Sequence, residues 1–188
     1  MNQNTKPDPQ IIFQMKVTLK DIEPLIWRKI LVSGGITFHK FHKILQIVMG
    51  WEDYHLYSFT IGGSDYGIPD PESPYEFKDS RKIKLQKAIS GDTKFVYVYD
   101  FGDDWRHEIK VDQILKANKG QFFPVCLKGK RACPPEDVGG AWGYEDFLEA
   151  YSDPTHEEHE HMHAWAGDDF DPERFDLQVV NERLRRLR

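Results

Sequence analysis

The sequence predicts a single α+β domain in which one mixed or antiparallel sheet packs on one main helix, with further helices closing the chain. Three stretches carry that prediction. Residues 11–20 alternate strictly: Ile11, Phe13, Met15, Val17 and Leu19 share one face, and Gln14, Lys16, Thr18 and Lys20 the other. After Thr37, Phe38, Phe41, Leu45 and Val48 recur at helical spacing up to Gly50. Residues 97–111 then read as two strands around the acidic turn Asp100-Phe101-Gly102-Asp103-Asp104.

Taken in order, residues 1–10 carry no pattern and are expected to be a flexible end, leaving 11–188 as the domain. The strand at 11–20 and a second at 25–32 should pair antiparallel across the turn at 21–24. Thr37 suits the N-cap of a helix over 37–49, and Gly50 the left-handed residue that ends it, with Trp51 folding back. A third strand is expected at 55–61. Residues 64–80, with Pro69, Pro71 and Pro74, read as an irregular surface loop. A short helical turn fits 85–89, and Gly91-Asp92 lead into strands at 94–100 and 105–113. In the first of these both faces are apolar, which predicts a central strand buried on both sides. In the second, Trp105, His107, Ile109 and Val111 share one face, so His107 points toward the core. Beyond Lys116 no period is visible until helices at 144–151, from Asp153-Pro154, and at 177–187. Such an order is compatible with a β-grasp-like roll.

Composition narrows the function. Hydrophobic residues make up 39% and charged residues 30% of 188, with five Trp, eight Tyr and twelve Phe, which is globular. The net charge of −6 argues against affinity built on phosphate neutralisation, although a local basic patch is compatible with it. No apolar run reaches membrane-spanning length and the N-terminus lacks a signal-peptide pattern, so no membrane association and a cytoplasmic protein are expected.

Several groups are candidates for chemistry. Asp100, Asp103 and Asp104 crowd one turn beside His107, and carboxylates with an imidazole suit a general base or a divalent cation. The plainer alternative is turn chemistry, with Asp side chains bonding their own backbone. Asp100-Phe101-Gly102 also spells the kinase metal triplet, but no phosphate loop or catalytic loop accompanies it. Cys126 and Cys133 flank a Lys-Gly-Lys-Arg turn; a zinc site needs further ligands, and buried thiols explain them otherwise. Residues 134–173 hold thirteen Asp and Glu and no Lys or Arg. Inside that run His159-Glu160-His161-Met162-His163 matches the zinc-hydrolase pattern, and His156, His159 and His163 cover one helical arc. A solvated acidic helix accounts for the same pattern without metal.

The segment 25–28, the run Met49-Gly50-Trp51-Glu52-Asp53-Tyr54-His55-Leu56, residues 99–108 and residues 131–144 together resemble the plasmid pRiA4b ORF-3-like family over nearly the whole chain. The resemblance implies an α+β roll and an association with mobile elements, where members are called transposon passenger proteins. It implies no activity. The family tends to carry an apolar residue where this chain has His163, which weighs against the zinc-hydrolase pattern.

Three functions follow as expectations: a binding or adaptor module whose acidic surface engages a protein partner; a metal-dependent hydrolase using the Asp100–His107 cluster or the His159-Glu160-His163 pattern; and a nucleic-acid-associated factor of mobile elements. The turn 100–104, His107 and the pair Glu136-Asp137 are expected to converge on one concave surface. Arg106 or Arg131 could neutralise part of that cluster; the alternative to a functional site is that such arginine pairing makes it a purely structural clamp.

Overall fold

In the computed structural model, residues 10–72, 74–89, 94–117 and 120–187 are described. The flexible end expected at 1–10 lies, through residue 9, outside them, as does the Gly91-Asp92 lead-in. The alternation of 11–20 becomes β1 (Ile11–Leu19), whose apolar face is buried from Phe13 to Leu19 and half-buried at Ile11. It pairs antiparallel with β2 (Trp27–Ser33) on one side and with β7 (Trp105–Lys116) on the other. The outer parts of the sheet are β3 (Tyr57–Ile61), β4 (Ser64–Gly67), β5 (Lys78–Asp79), β6 (Lys94–Tyr99) and β8 (Val125–Lys130). Strand order is β5-β4-β3-β6-β7-β1-β2-β8, antiparallel except where β5 runs parallel to β4.

The main helix, α1 (Phe38–Met49), begins where Thr37 Oγ1 accepts the Lys40 N–H at 3.2 Å and ends at Gly50 with φ 111°. Trp51 N–H folds back to the Gln46 carbonyl at 3.0 Å. Phe38, Phe41, Ile44, Leu45 and Val48 are buried in one cluster with the inward residues of β1, β2, β3, β6 and β7. Each such side chain contributes about 1.5–3 kcal/mol of hydrophobic stabilisation. Beneath them a polar network is buried: His42 Nδ1 meets Tyr97 Oη at 2.8 Å, and Gln46 Nε2 donates to the same oxygen at 3.0 Å. Burial and the neighbouring Lys43 ammonium push His42 down to about 2, against the pull of the Asp53 carboxylate 2.5 Å away. Because Lys43 already pairs with Asp53, neutral imidazole is the form this network holds.

Five expectations need correction. The region 64–80 is not wholly irregular, because β4 and β5 pair there beside its proline-containing loop. The aperiodic stretch after Lys116 contains β8, whose register shifts against β2 between Lys29 and Ile30, and that irregularity hides the alternation. Strand β6 is central, yet it is buried on one face only: Phe95, Tyr97 and Tyr99 point inward while Lys94 and Val96 are exposed. The helix expected from residue 144 is α3 (Gly140–Ser152), which starts one turn earlier because Gly139 and Gly140 both take positive φ. Asp153-Pro154 starts no helix: Asp153 Oδ1 accepts from Thr155 N–H and Oγ1, both at 2.8 Å, closing a turn before α4 (His159–Ala166).

A four-residue helix, α2 (Leu85–Ala88), follows β5. The last helix, α5 (Leu177–Arg186), is capped by Asp176, whose carboxylate accepts from Gln178 and Val179 N–H, and its arginines sit at the favourable C-terminal end. Tyr144 and Phe147 of α3 and Leu184 of α5 join the same core, so these helices extend the covered face of the sheet. Among the described residues no helix is long and apolar enough to cross a membrane.

Candidate metal centre

Turn chemistry and site chemistry meet in one residue. Asp100 and Asp104 adopt left-handed φ of 55° and 54°, which Asp tolerates better than most residues. Asp100 Oδ1 accepts from Gly102 N–H at 2.8 Å and Asp103 N–H at 3.3 Å, as the plain turn reading requires. Its other oxygen, Oδ2, lies 3.6 Å from Nε2 of His55.

His55 sits in the segment between α1 and β3. Two backbone bonds anchor that segment to β6: Asp100 N–H to the Leu56 carbonyl at 2.9 Å, and Tyr54 N–H to Tyr99 Oη at 3.1 Å. The imidazole packs edge-on against Tyr99, with centroids 5.9 Å apart.

The third contribution comes from the loop after β8. Trp51 Nε1–H bonds the Pro134 carbonyl at 3.0 Å, and Gly139 N–H bonds Asp103 Oδ2 at 3.1 Å. Gly140 packs so closely on the turn that a Cβ there would lie 2.6 Å from the Asp103 carbonyl oxygen. Glu136 is held by Glu52 N–H at 2.7 Å and by Tyr99 Oη at 3.0 and 3.3 Å. Burial and the Glu136 charge raise Tyr99, so it remains a phenol that donates.

These ties place Asp137 Oδ1 3.0 Å and Glu136 Oε2 3.9 Å from His55 Nε2. The nitrogen is shielded from solvent and, although Asp137 Oδ1 stands at ion-pair distance, it makes no hydrogen bond of good geometry among the described residues. Ligand atoms of His55, Asp100 and Asp137 all lie within 4.8 Å of one another. Asp137 is 68% exposed, so one side of the cluster faces water. Leu56 and Phe101, next in sequence to His55 and Asp100, line an adjoining cleft of about 520 Å³ with Tyr57, Tyr75 and Phe77.

The structure brings together Asp100, Glu136 and Asp137 of the expected surface, with Asp103 as the tie between its two loops. His107 is elsewhere. It points inward as expected, but it is fully buried, edge-on to Trp51 at 5.3 Å with Nδ1 3.3 Å from the Tyr97 carbonyl. Burial lowers it to about 4. Asp104 is exposed and paired with Arg106 at 2.7 Å. Arg131 bonds Glu173 and the Pro24 carbonyl, each at 2.6 Å. Arg106 thus neutralises the Asp104 end of the expected acidic cluster, whereas Arg131 does not reach it, and among the described residues no Lys or Arg pairs with Asp100, Glu136 or Asp137.

The histidines of α4 join two helices. His159 Nδ1 is 3.0 Å from the Ala150 carbonyl; His163 stacks on Tyr151 with Nε2 3.1 Å from its carbonyl and Nδ1 3.1 Å from Asp168. His156 Nδ1 accepts from Glu158 N–H at 3.1 Å, and Glu160 is exposed. Cys126 and Cys133 are free thiols near the Arg28 guanidinium, both raised by burial, Cys126 to about 11. None of these belongs to the three-ligand group found among the described residues. His55 is the member that sequence reasoning missed. It stands in the Trp51–Leu56 run that carries the resemblance, but a place at the edge of a strand gave it no chemical context.

Comparison with known proteins now decides the relationship. The family model described as plasmid pRiA4b ORF-3-like protein matches residues 11–179. The chain belongs to that family. A relative in Sinorhizobium fredii, the uncharacterized protein y4hQ, is 38% identical over 174 residues, covering 91% of this chain and 89% of its own. The crystal structure of MM3350 from Methanosarcina mazei Go1, a protein of unknown function, is 40% identical with a TM-score of 0.83, covering 90% of this chain and 97% of that one.

Proposed function

We propose that this pRiA4b ORF-3-like chain binds a divalent cation through His55, Asp100 and Asp137, with Glu136 beside them, and uses it in a hydrolytic reaction. The observation that carries this reading is the buried, unbonded His55 Nε2 aimed among three carboxylate oxygens. An imidazole with carboxylates suits Mn²⁺, Fe²⁺ or Zn²⁺. Three negative charges without an arginine partner among the described residues favour a cation over a clamp. Bound there, the ion would supply Lewis acidity and an activated water on its open side. Leu56, Phe101, Tyr75 and Phe77 offer an apolar wall to the substrate, so the expected class is an ester or phosphoester with an apolar substituent. Calorimetric titration of chelator-treated, untagged protein with Mn²⁺ and Zn²⁺ tests the centre, and an ester and phosphoester panel tests the reaction. Binding unchanged in His55→Ala would overturn the centre; binding without turnover of any panel member would remove the hydrolytic reading.

A second reading is favoured by the acidic groove between α3 and α4. Asp146, Glu149, Glu158, Met162 and Trp165 line about 550 Å³, and nearby Trp142 is 83% exposed. It suits a basic protein segment, the adaptor role. Cross-linking with and without Trp142→Ala separates it from the metal reading, which that substitution leaves intact.

A further inference from the structure

The face of the sheet opposite α1 carries a line of lysines that no single segment of sequence reveals. Lys94 pairs with Lys110, Lys110 with Lys16, Lys16 with Lys29, and Lys29 with Lys128, each as direct cross-strand partners on β6, β7, β1, β2 and β8. Directly opposed residues share a face, and neighbouring strands are about 4.8 Å apart, so five ammonium stems cross about 19 Å of sheet. Like charges directly opposite one another destabilise a sheet, so folding does not account for the row.

Two carboxylates on the same face answer part of the charge. Glu108 pairs with Lys94 at 3.1 Å, and Asp112 lies 3.3 Å from Lys29 and 3.7 Å from Lys110. Lys130 adds further positive charge at one flank, while Arg106 at the other is paired with Asp104. In the next row half-buried Trp27 presents its ring to Lys16 Nζ, 5.3 Å from the centroid. The row is open: the side chains of Lys94, Lys110 and Lys29 are 57%, 51% and 37% exposed. The net charge of −6 therefore conceals a segregation, with thirteen acids in 134–173 and a basic surplus on this face.

We propose that this open sheet face binds the phosphodiester backbone of a single-stranded nucleic acid laid across the strands, with Trp27 as a stacking platform. A line of evenly spaced cations matches a polymer of evenly spaced anions better than an acidic peptide of irregular charge. An open sheet face that carries an aromatic ring suits an unpaired strand, whose bases can stack. Neither the metal centre nor any residue of it takes part.

The test is fluorescence anisotropy with labelled 15-mer oligo(U) and oligo(dT) in EDTA, which separates this site from the cation site. Binding should weaken with salt, with a log–log slope of about −3 for four neutralised phosphates. Lys16→Gln with Lys110→Gln should lower affinity at least tenfold while the melting temperature holds or rises, because like-charge repulsion is relieved. Glu108→Gln should tighten binding, and Trp27→Leu should weaken it several-fold. A duplex of the same length binding as tightly as the single strand would overturn the single-strand assignment. Affinity unchanged in the double lysine variant, no binding by the folded wild type, or binding confined to anionic vesicles would each overturn the proposal.

Discussion

Gly139 donates its backbone N–H to Asp103 Oδ2 at 3.1 Å, and this bond docks the loop carrying Asp137 onto the turn carrying Asp100. The two loops lie more than thirty residues apart in sequence. Their contact is close because Gly140, at φ 72°, has no Cβ to strike the Asp103 carbonyl. Gly140→Ala combines a left-handed alanine with a steric clash, so it should destabilise the fold by about 1–3 kcal/mol and weaken Mn²⁺ binding more than tenfold. Urea denaturation alongside metal titration checks both; full metal affinity in this variant would show that the docking does not build the site.

Asp137 is largely exposed, so Asp137→Asn should leave metal-free stability within about 0.5 kcal/mol while removing most of the cation affinity. In the wild type, saturating Mn²⁺ at about 100 times its Kd should add about 2.7 kcal/mol of stability. Thermal melts of both proteins with and without Mn²⁺ measure the difference. Equal shifts would remove Asp137 from the centre.

His107 titrates lower in the fold than its ordinary value of 6.5, at about 4, because burial disfavours the imidazolium. The unfolded chain therefore binds the proton first. This contribution to stability is complete above about pH 6.5 and is lost as pH falls toward 4, amounting to about 3 kcal/mol over that window. Urea midpoints across pH 7.5 to 4.5 should fall with pH, and His107→Phe should flatten the decline. An equally steep decline in that variant would assign it to other groups, with His42 next in line.

Arg28 is 1% exposed and donates to the carbonyls of Val48 at 2.6 Å, Lys130 at 2.8 Å and Trp27 at 2.9 Å, with Phe175 4.2 Å over its guanidinium. Arg28→Ala should cost about 3 kcal/mol by stranding buried acceptors. Arg28→Lys should restore little, because one ammonium cannot reproduce the planar fork. Chemical denaturation of the two variants decides this, and a lysine variant as stable as wild type would contradict it.

Strand β1, helix α1 with both caps, and the β6–β7 hairpin were legible in the sequence, because alternation, helical spacing, a capping Thr and a terminal Gly act on neighbouring residues. The inward face of His107 followed from the same two-residue period. Family membership was legible too, since its motifs are written along the chain. Strand β8 was not, because its irregular register takes meaning only from β2. The one-sided burial of β6 was not, because an apolar Val96 reads alike whether or not something covers it. His55 entered the centre only once Leu56 bonded Asp100 and Gly139 bonded Asp103. The lysine row likewise draws one residue from each of five strands. Periodicity reports on a residue and its near neighbours, whereas a site assembled from distant segments exists only after the sheet has paired and the loops have docked.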